Sequence, residues 1–189
     1  MRLILVRHGE SEWNAAGRVQ GQADPGLSAA GREEALRIAP LVRTQRPELV
    51  VSSDLRRATD TAAIVAGAPV ERDPRWRESA MGDWTGRDVA ELCADPTGRF
   101  TRWREGRATA PGGESWEEMC ARVAAAARDL AARGVARALV VTHGGPVRAA
   151  CAELAGLQPG GLVPVPNGSM TVIDVASGRL HALGVRCDT

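Results

Sequence analysis

The sequence predicts an α/β domain with a mostly parallel sheet closed by a C-terminal hairpin. Three observations carry this. Short apolar, β-compatible runs alternate with amphipathic helical stretches. Two of those runs lead through short polar or glycine-containing turns directly into helices, which is the β-to-α unit of a parallel sheet. The chain then closes on two β-type runs separated by Ser177-Gly178.

Taken in order, residues 3–6 form the first apolar run, and residues 10–27 read as loop because they hold Gly17, Gly21, Pro25 and Gly26. Ser28 is placed to cap a helix carrying Ala35, Leu36, Ile38, Leu41 and Val42, which Pro40 is expected to end or kink. Residues 49–51 are the second strand. Asp54 is then expected to cap a helix in which Leu55, Ala58, Ala62 and Val65 make one stripe, stopped by Gly67. Ser115 with Glu118 three residues on makes a capping box for a helix reaching about Leu130. Residues 139–142 are a further strand, followed by Gly144, Gly145 and Pro146 and a helix over 147–154, with the proline suited to its first turn. Residues 170–175 and 180–185 form the terminal hairpin.

A chain of 189 residues fits one domain, 1–189. The stretch at about 82–113, rich in Gly, Pro and Arg and carrying Trp84 and Trp103, interrupts the alternation and reads as a lid-like insertion over one end of the sheet. With 24 Lys+Arg against 23 Asp+Glu, the net charge of +1 gives no global reason to expect nucleic acid as partner. Cys93, Cys120, Cys151 and Cys187 lie far apart without ligand spacing, arguing against a zinc site, a redox dithiol and a disulfide scaffold. The apolar run before Arg7 is too short for a signal peptide core or a membrane span, so a reduced, cytoplasmic protein is expected with no membrane partner. Oligomeric state, a homodimer included, stays open. Trp13, Trp84, Trp103 and Trp116 are candidates for lining a pocket, although buried tryptophan more often fills space. His181, in the terminal hairpin, reads as a surface residue, and Asn167-Gly168-Ser169 as a turn entering a strand.

In an open α/β sheet, ligands bind beyond the carboxyl ends of the strands. There the chain places Arg7-His8-Gly9, then Ser52-Ser53-Asp54 with Arg57 a turn later, then Thr142-His143-Gly144-Gly145. Two histidines, two arginines and two helix N-termini at one edge suit a dianion. Phosphate fits better than carboxylate, because planar guanidinium groups match pairs of its oxygens and the N–H groups of Gly9 or Gly144 could meet others. A neutral imidazole is a nucleophile when its other nitrogen keeps its proton. Adjacent Arg7 and Arg57 would keep His8 neutral, so His8 is the expected nucleophile on phosphorus, with His143 donating a hydrogen bond to the transferring group. The departing alkoxide needs a proton, and Glu78, preferred over Asp83, is expected to supply it and later to activate water.

Together LILVRHGESEWN, SSDLRRATDTA, ESAMGDWTG and VTHGG resemble, in order, the motifs of the histidine phosphatase superfamily, the phosphoglycerate-mutase-like branch. The resemblance runs from about residue 2 to 175. It implies a three-layer α/β/α sandwich, no metal, no cofactor, and a phosphate pocket of Arg7, His8, Arg57 and His143. By the same resemblance His8 is the phosphohistidine, Glu78 the proton donor, and Asn14 a further residue reaching the phosphate. The implied activity is hydrolysis of a small phosphomonoester. Mutases of this kind are longer between the Glu loop and the second histidine, and this chain is short there, which favours water as acceptor. The alternatives are a 2,3-bisphosphoglycerate-dependent phosphoglycerate mutase and a non-catalytic phosphate-binding module.

Overall fold

The computed structural model describes residues 1–162 and 165–187. Strands β1 (Arg2–Arg7), β2 (Leu49–Ser52), β3 (Glu71–Arg72), β4 (Arg137–Thr142), β5 (Met170–Asp174) and β6 (Leu180–Val185) form one sheet in the order β3-β2-β4-β1-β5-β6. The first four positions in that order are parallel; β5 and β6 are antiparallel additions, making the expected terminal hairpin.

Both faces of the sheet are covered, which is why β1 and β4 read as unbroken apolar runs. The side chains alternate between two cores. Leu3 and Leu5 of β1, with Val140 of β4, pack under α6 (Trp116–Ala132) and α7 (Gly144–Ala155). Ile4 and Val6, with Leu139 and Val141, pack under α2 (Ala29–Thr44) and α3 (Arg56–Ala66). The result is the expected α/β/α layering.

Local signals fixed most helix ends. The Ser28 hydroxyl accepts from the Gly31 N–H, and Ser115 and Glu118 form the full capping box of α6. Gly67 stops α3. Two helix ends differ from those expected. Pro40 does not end α2, which continues to Thr44: the buried residues Ile38, Ala39 and Val42 lie on both sides of it, while Pro40 itself faces solvent. Asp54 does not cap α3. Leu55 holds the cap position without a side-chain bond, and the Asp54 carboxylate is taken by the Arg77 guanidinium at 2.6 and 2.7 Å. The loop of residues 10–27 contains one short helix, α1 (Glu12–Ala15), capped by Ser11.

Residues 82–113 hold two short helices, α4 (Val89–Ala94) and α5 (Arg99–Arg104). Trp84, Leu92, Phe100 and Ala110 from this segment bury themselves with Val19 and Met81 in a cluster separate from both main cores. Trp76, fully buried in the α6 and α7 layer, is a core residue that the sequence analysis did not single out. His181 is exposed, and Asn167 and Gly168 form a turn into β5.

Candidate active site

The register of the central strands builds the site. Arg7 pairs with Thr142 across the parallel β1 and β4, and the His8 N–H continues the ladder to the Thr142 carbonyl at 2.9 Å. The next residue on each strand is therefore a histidine beside a histidine, and the rings of His8 and His143 lie 5.0 Å apart. On the other side of β4, the Ser53 N–H bonds the Val141 carbonyl, which sets Ser53 against His143.

Hydrogen bonds fix the state of His8. Its Nδ1 lies 2.6 Å from the Gly9 carbonyl, which can only accept, so Nδ1 carries the proton. Nε2 is then a lone pair, and it accepts from Arg57 Nε at 3.2 Å. The imidazole is held well below its ordinary pKa of 6.5 by burial, then by Arg57 and Arg7, against the smaller pull of the Gly9 carbonyl. His143 is lowered in the same way by burial first, then by Arg57, His8 and Arg7. The Ser53 hydroxyl accepts from the Leu55 N–H at 3.3 Å and so can give its own proton to His143 Nε2 at 2.9 Å. A neutral His143 then bears its hydrogen on Nδ1, a buried atom with no partner among the described residues.

Arg57, in the first turn of α3, is fully buried. Its Nη atoms donate to the carbonyls of Ala23 and Gly21 at 2.7 and 2.8 Å, so the loop of residues 10–27 holds the cation that opposes the helix dipole. Burial pushes its pKa down to about 10, and it remains charged at neutral pH. Arg7 donates from Nη1 to the Val165 carbonyl, while its buried Nε has no partner among the described residues. Gly144 lies beside that guanidinium: a side chain there would begin 3.6 Å from Arg7 Nε. Asn14 turns its carbonyl oxygen to the Ser11 N–H, the Ser11 hydroxyl and the Asn167 amide at 3.1 to 3.2 Å, leaving its NH2 end as donor.

Glu78 is half-buried. One carboxylate oxygen accepts from the Ser79 N–H at 2.9 Å and the other from the Gly145 N–H at 3.2 Å. Gly145 leaves room for that carboxylate, since a Cβ there would fall 2.1 Å from Glu78 Oε1 and push it away. The segment is braced from α6 by Arg122, which donates to the carbonyls of Arg75 and Glu78 at 2.7 and 3.3 Å and pairs with Glu114 at 2.6 Å. Asp83, the rejected alternative, is exposed.

Arg7, His8, Asn14, Arg57 and Glu78 line one open cavity with an empty volume of about 550 Å³, and its apolar lining is Val19, Met81, Val89, Phe100 and Trp103. Of the four candidate tryptophans, Trp103 alone lines it; Trp84 is buried behind, and Trp116 stacks under the Arg148 guanidinium. One expectation is corrected: the Gly9 N–H is not free for a ligand, because it donates to Thr61 Oγ1 at 3.2 Å. Residues missed by sequence reasoning include Asn167, whose amide ties the His8 carbonyl to Asn14, and the Arg122 and Glu114 brace. Among the described residues no group of three or more His, Cys, Asp and Glu side chains is arranged to hold a metal ion. No helix among them is long and apolar enough to cross a membrane.

Parallel strands delivering two histidines and two arginines to one sheet edge, with a carboxylate facing them, define a class of phosphoryl-group enzyme, and the sequence matches it. The histidine phosphatase superfamily (branch 1) model covers residues 3–188; the chain belongs to this superfamily and is a phosphatase. It is 42% identical over 168 residues to the glucosyl-3-phosphoglycerate phosphatase of Mycolicibacterium vanbaalenii, covering 82% of this chain and 75% of that one. It is 39% identical over 156 residues to an Enterobacter sp. protein named "Probable phosphoglycerate mutase GpmB", covering 76% of this chain and 70% of that one. A solved complex of mycobacterial glucosyl-3-phosphoglycerate phosphatase with inorganic phosphate has a TM-score of 0.86 at 33% identity, covering 100% of this chain and 99% of that one.

Proposed function

We propose that this phosphatase hydrolyses a small phosphomonoester through a phosphohistidine on His8. The observation that carries the reading is the His8 ring itself: buried, neutral, and held by the Gly9 carbonyl in the tautomer that leaves Nε2 a lone pair. In the first step Nε2 attacks phosphorus in line, the bond from phosphorus to the ester oxygen breaks, and protonated Glu78 gives its proton to the departing alkoxide. Arg7, Arg57, Asn14, His143 Nδ1 and the Gly144 N–H hold the phosphoryl oxygens and spread their charge. In the second step water attacks the phosphohistidine, Glu78 accepts its proton, and phosphate leaves with His8 restored.

Residues 82–113 serve as the specificity lid, since Val89, Phe100 and Trp103 furnish much of the wall that the leaving group meets. A cytoplasmic setting fits the four free cysteines. The mutase reading draws on the Enterobacter relative. It is tested together with the main one.

Incubation with a panel of phosphomonoesters and a chelator is expected to release phosphate, and an acid quench to trap a labile phosphoprotein absent from His8→Ala. No release between pH 5 and 8 would count decisively against hydrolysis. Isomerisation of phosphoglycerate that rises with a bisphosphorylated primer, with little phosphate released, would replace the hydrolase by the mutase.

A further inference from the structure

The peptide that fixes His8 is itself held from its far side. Its carbonyl, that of Gly9, accepts from His8 Nδ1 at 2.6 Å, and its N–H, that of Glu10, donates to Glu34 Oε2 at 2.7 Å. The carbonyl and N–H of a trans peptide lie in one rigid plane on opposite edges. A carboxylate, an amide and an imidazole are thus joined in one hydrogen-bonded chain that ends at Nε2, the attacking atom of the chemistry proposed above. The joint is braced. Glu34 stands on α2, where its side chain is only 15% exposed and its Oε1 lies 3.6 Å from Arg186 Nη2. The start of the same helix seats the loop: the Ser28 N–H donates to the Glu10 carbonyl at 2.9 Å, and the Ser28 hydroxyl to the Glu10 carboxylate at 2.7 Å. Glu34 does not line the cavity, and the chemistry above gives it no part.

We infer that Glu34 is a positioning residue for His8, acting through the Gly9–Glu10 peptide to keep the proton on Nδ1 and to steady the ring as it becomes cationic. The inference rests on the phosphohistidine reading and deepens it. A negative charge on the N–H side of an amide leaves more negative charge on its carbonyl oxygen, so the two bonds strengthen each other. When Nε2 forms its bond to phosphorus and the ester oxygen leaves with its bonding pair, the ring gains positive charge and Nδ1–H becomes a stronger donor. The Nδ1 proton stays in place throughout, and Glu34 neither gains nor loses one. The chain is therefore worth more in the transition state than in the resting enzyme, which is the condition for accelerating the reaction. In a Ser-His-Asp triad a carboxylate bonded directly to the ring has this role; here a peptide stands between them.

The test compares the wild type with Glu34→Ala, Glu34→Gln and Arg186→Ala on a nitrophenyl and an alkyl phosphomonoester. Glu34→Ala should lower kcat/KM about tenfold on both, the low end of the worth of a hydrogen bond to a charged group. Glu34→Gln, whose carbonyl oxygen can accept from the same N–H, should recover most of that loss. Arg186→Ala removes only the ion pair and should leave activity within twofold. The charge of Glu34 also reaches Arg7, whose pKa burial pushes down and Glu78 and then Glu34 hold up, so the inhibition constant for inorganic phosphate is measured alongside. A loss under twofold in Glu34→Ala overturns the inference, as does a loss matched by an equal weakening of phosphate inhibition, or no recovery in Glu34→Gln. NMR of the protein with isotope-labelled histidines reads the ring directly. The Nδ1–H resonance of His8, assigned by its absence from His8→Gln, should move upfield in Glu34→Ala, and an unmoved resonance overturns the inference. If neither ester is hydrolysed, the phosphohistidine reading is at fault, and this spectrum still decides for or against Glu34.

Discussion

Gly145→Ala isolates the proton donor from the rest of the site. The added methyl would lie 2.1 Å from Glu78 Oε1 and 3.0 Å from Met119 Sδ, so the carboxylate must retreat by more than an ångström to reach ordinary contact. That displacement also breaks its bond to the Gly145 N–H. A misplacement of this size typically costs about 100-fold in rate, or roughly 2.7 kcal/mol of barrier. Fold stability should not follow, because alanine in the first turn of α7 is a better helix former than glycine by up to about 1 kcal/mol. The loss should also depend on the ester. A nitrophenolate departs without a proton, whereas a sugar or glycerate alkoxide needs one, so kcat/KM should fall far more for alkyl esters. Inhibition by inorganic phosphate should persist, since Arg7, Arg57 and His8 do not move. Steady-state kinetics on both ester types, with a thermal melt as control, makes the measurement. Equal losses on both, or losses under threefold on alkyl esters in a folded variant, would refute the placement of Glu78 as the acid.

Arg122→Ala removes the donor to the Arg75 and Glu78 carbonyls and strands the largely buried Glu114. Urea unfolding should show a loss of about 2–3 kcal/mol, with a parallel fall in kcat on alkyl esters. Burial and the arginines keep His8 and His143 neutral in the fold, whereas the unfolded chain takes up protons below its ordinary histidine pKa of 6.5. Stability contributed by this pair is therefore full above about pH 6.5 and lost as pH falls below it, by up to about 1.4 kcal/mol per unit for each histidine. Unfolding measured from pH 8 to 5 should show that slope, and a His8→Gln, His143→Gln double variant should flatten it. The same neutrality means that the acid limb of kcat/KM should show the phosphomonoester's own second ionisation, at about pH 6, and no further histidine inflection at 6.5; a second inflection there would show His8 to be more basic than its burial implies.

What could be read from the sequence was what local chemistry decides. Ser28, Ser115 and Glu118 announce helix starts because their bonds span three residues, and the alternating cores under residues 3–6 and 139–142 follow from period-two burial. The three strand ends that carry Arg7-His8, Ser53 with Arg57, and Thr142-His143 could be seen to converge because strand carboxyl ends share one edge. What long-range pairing decides was hidden. Asp54 looks like a cap until Arg77, 23 residues on, claims it. β3 is two exposed charged residues with no apolar pattern, recruited only by the edge of β2. Gly31 looks like an ordinary helical glycine, yet a Cβ on it would lie 1.9 Å from the Glu10 carbonyl, so its absence lets the loop after β1 rest on α2. The Gly9 N–H was expected to await a ligand because Thr61, its acceptor, is 52 residues away.

The alignment of residues 7 and 142 has a consequence for how such an enzyme can be altered. Inserting or deleting a single amino acid within β1 or β4 would slide one imidazole 3.3 Å along its neighbour and invert which layer each following side chain enters. The segment of residues 82–113, with its separate apolar cluster, carries no such constraint. Lineages and engineers alike are thus offered a frame that tolerates no change of length beside a segment whose length the sheet does not set, so new substrates should be reached by changes there that keep its bonds to Gly17 and Val19 and leave the pair of strands untouched.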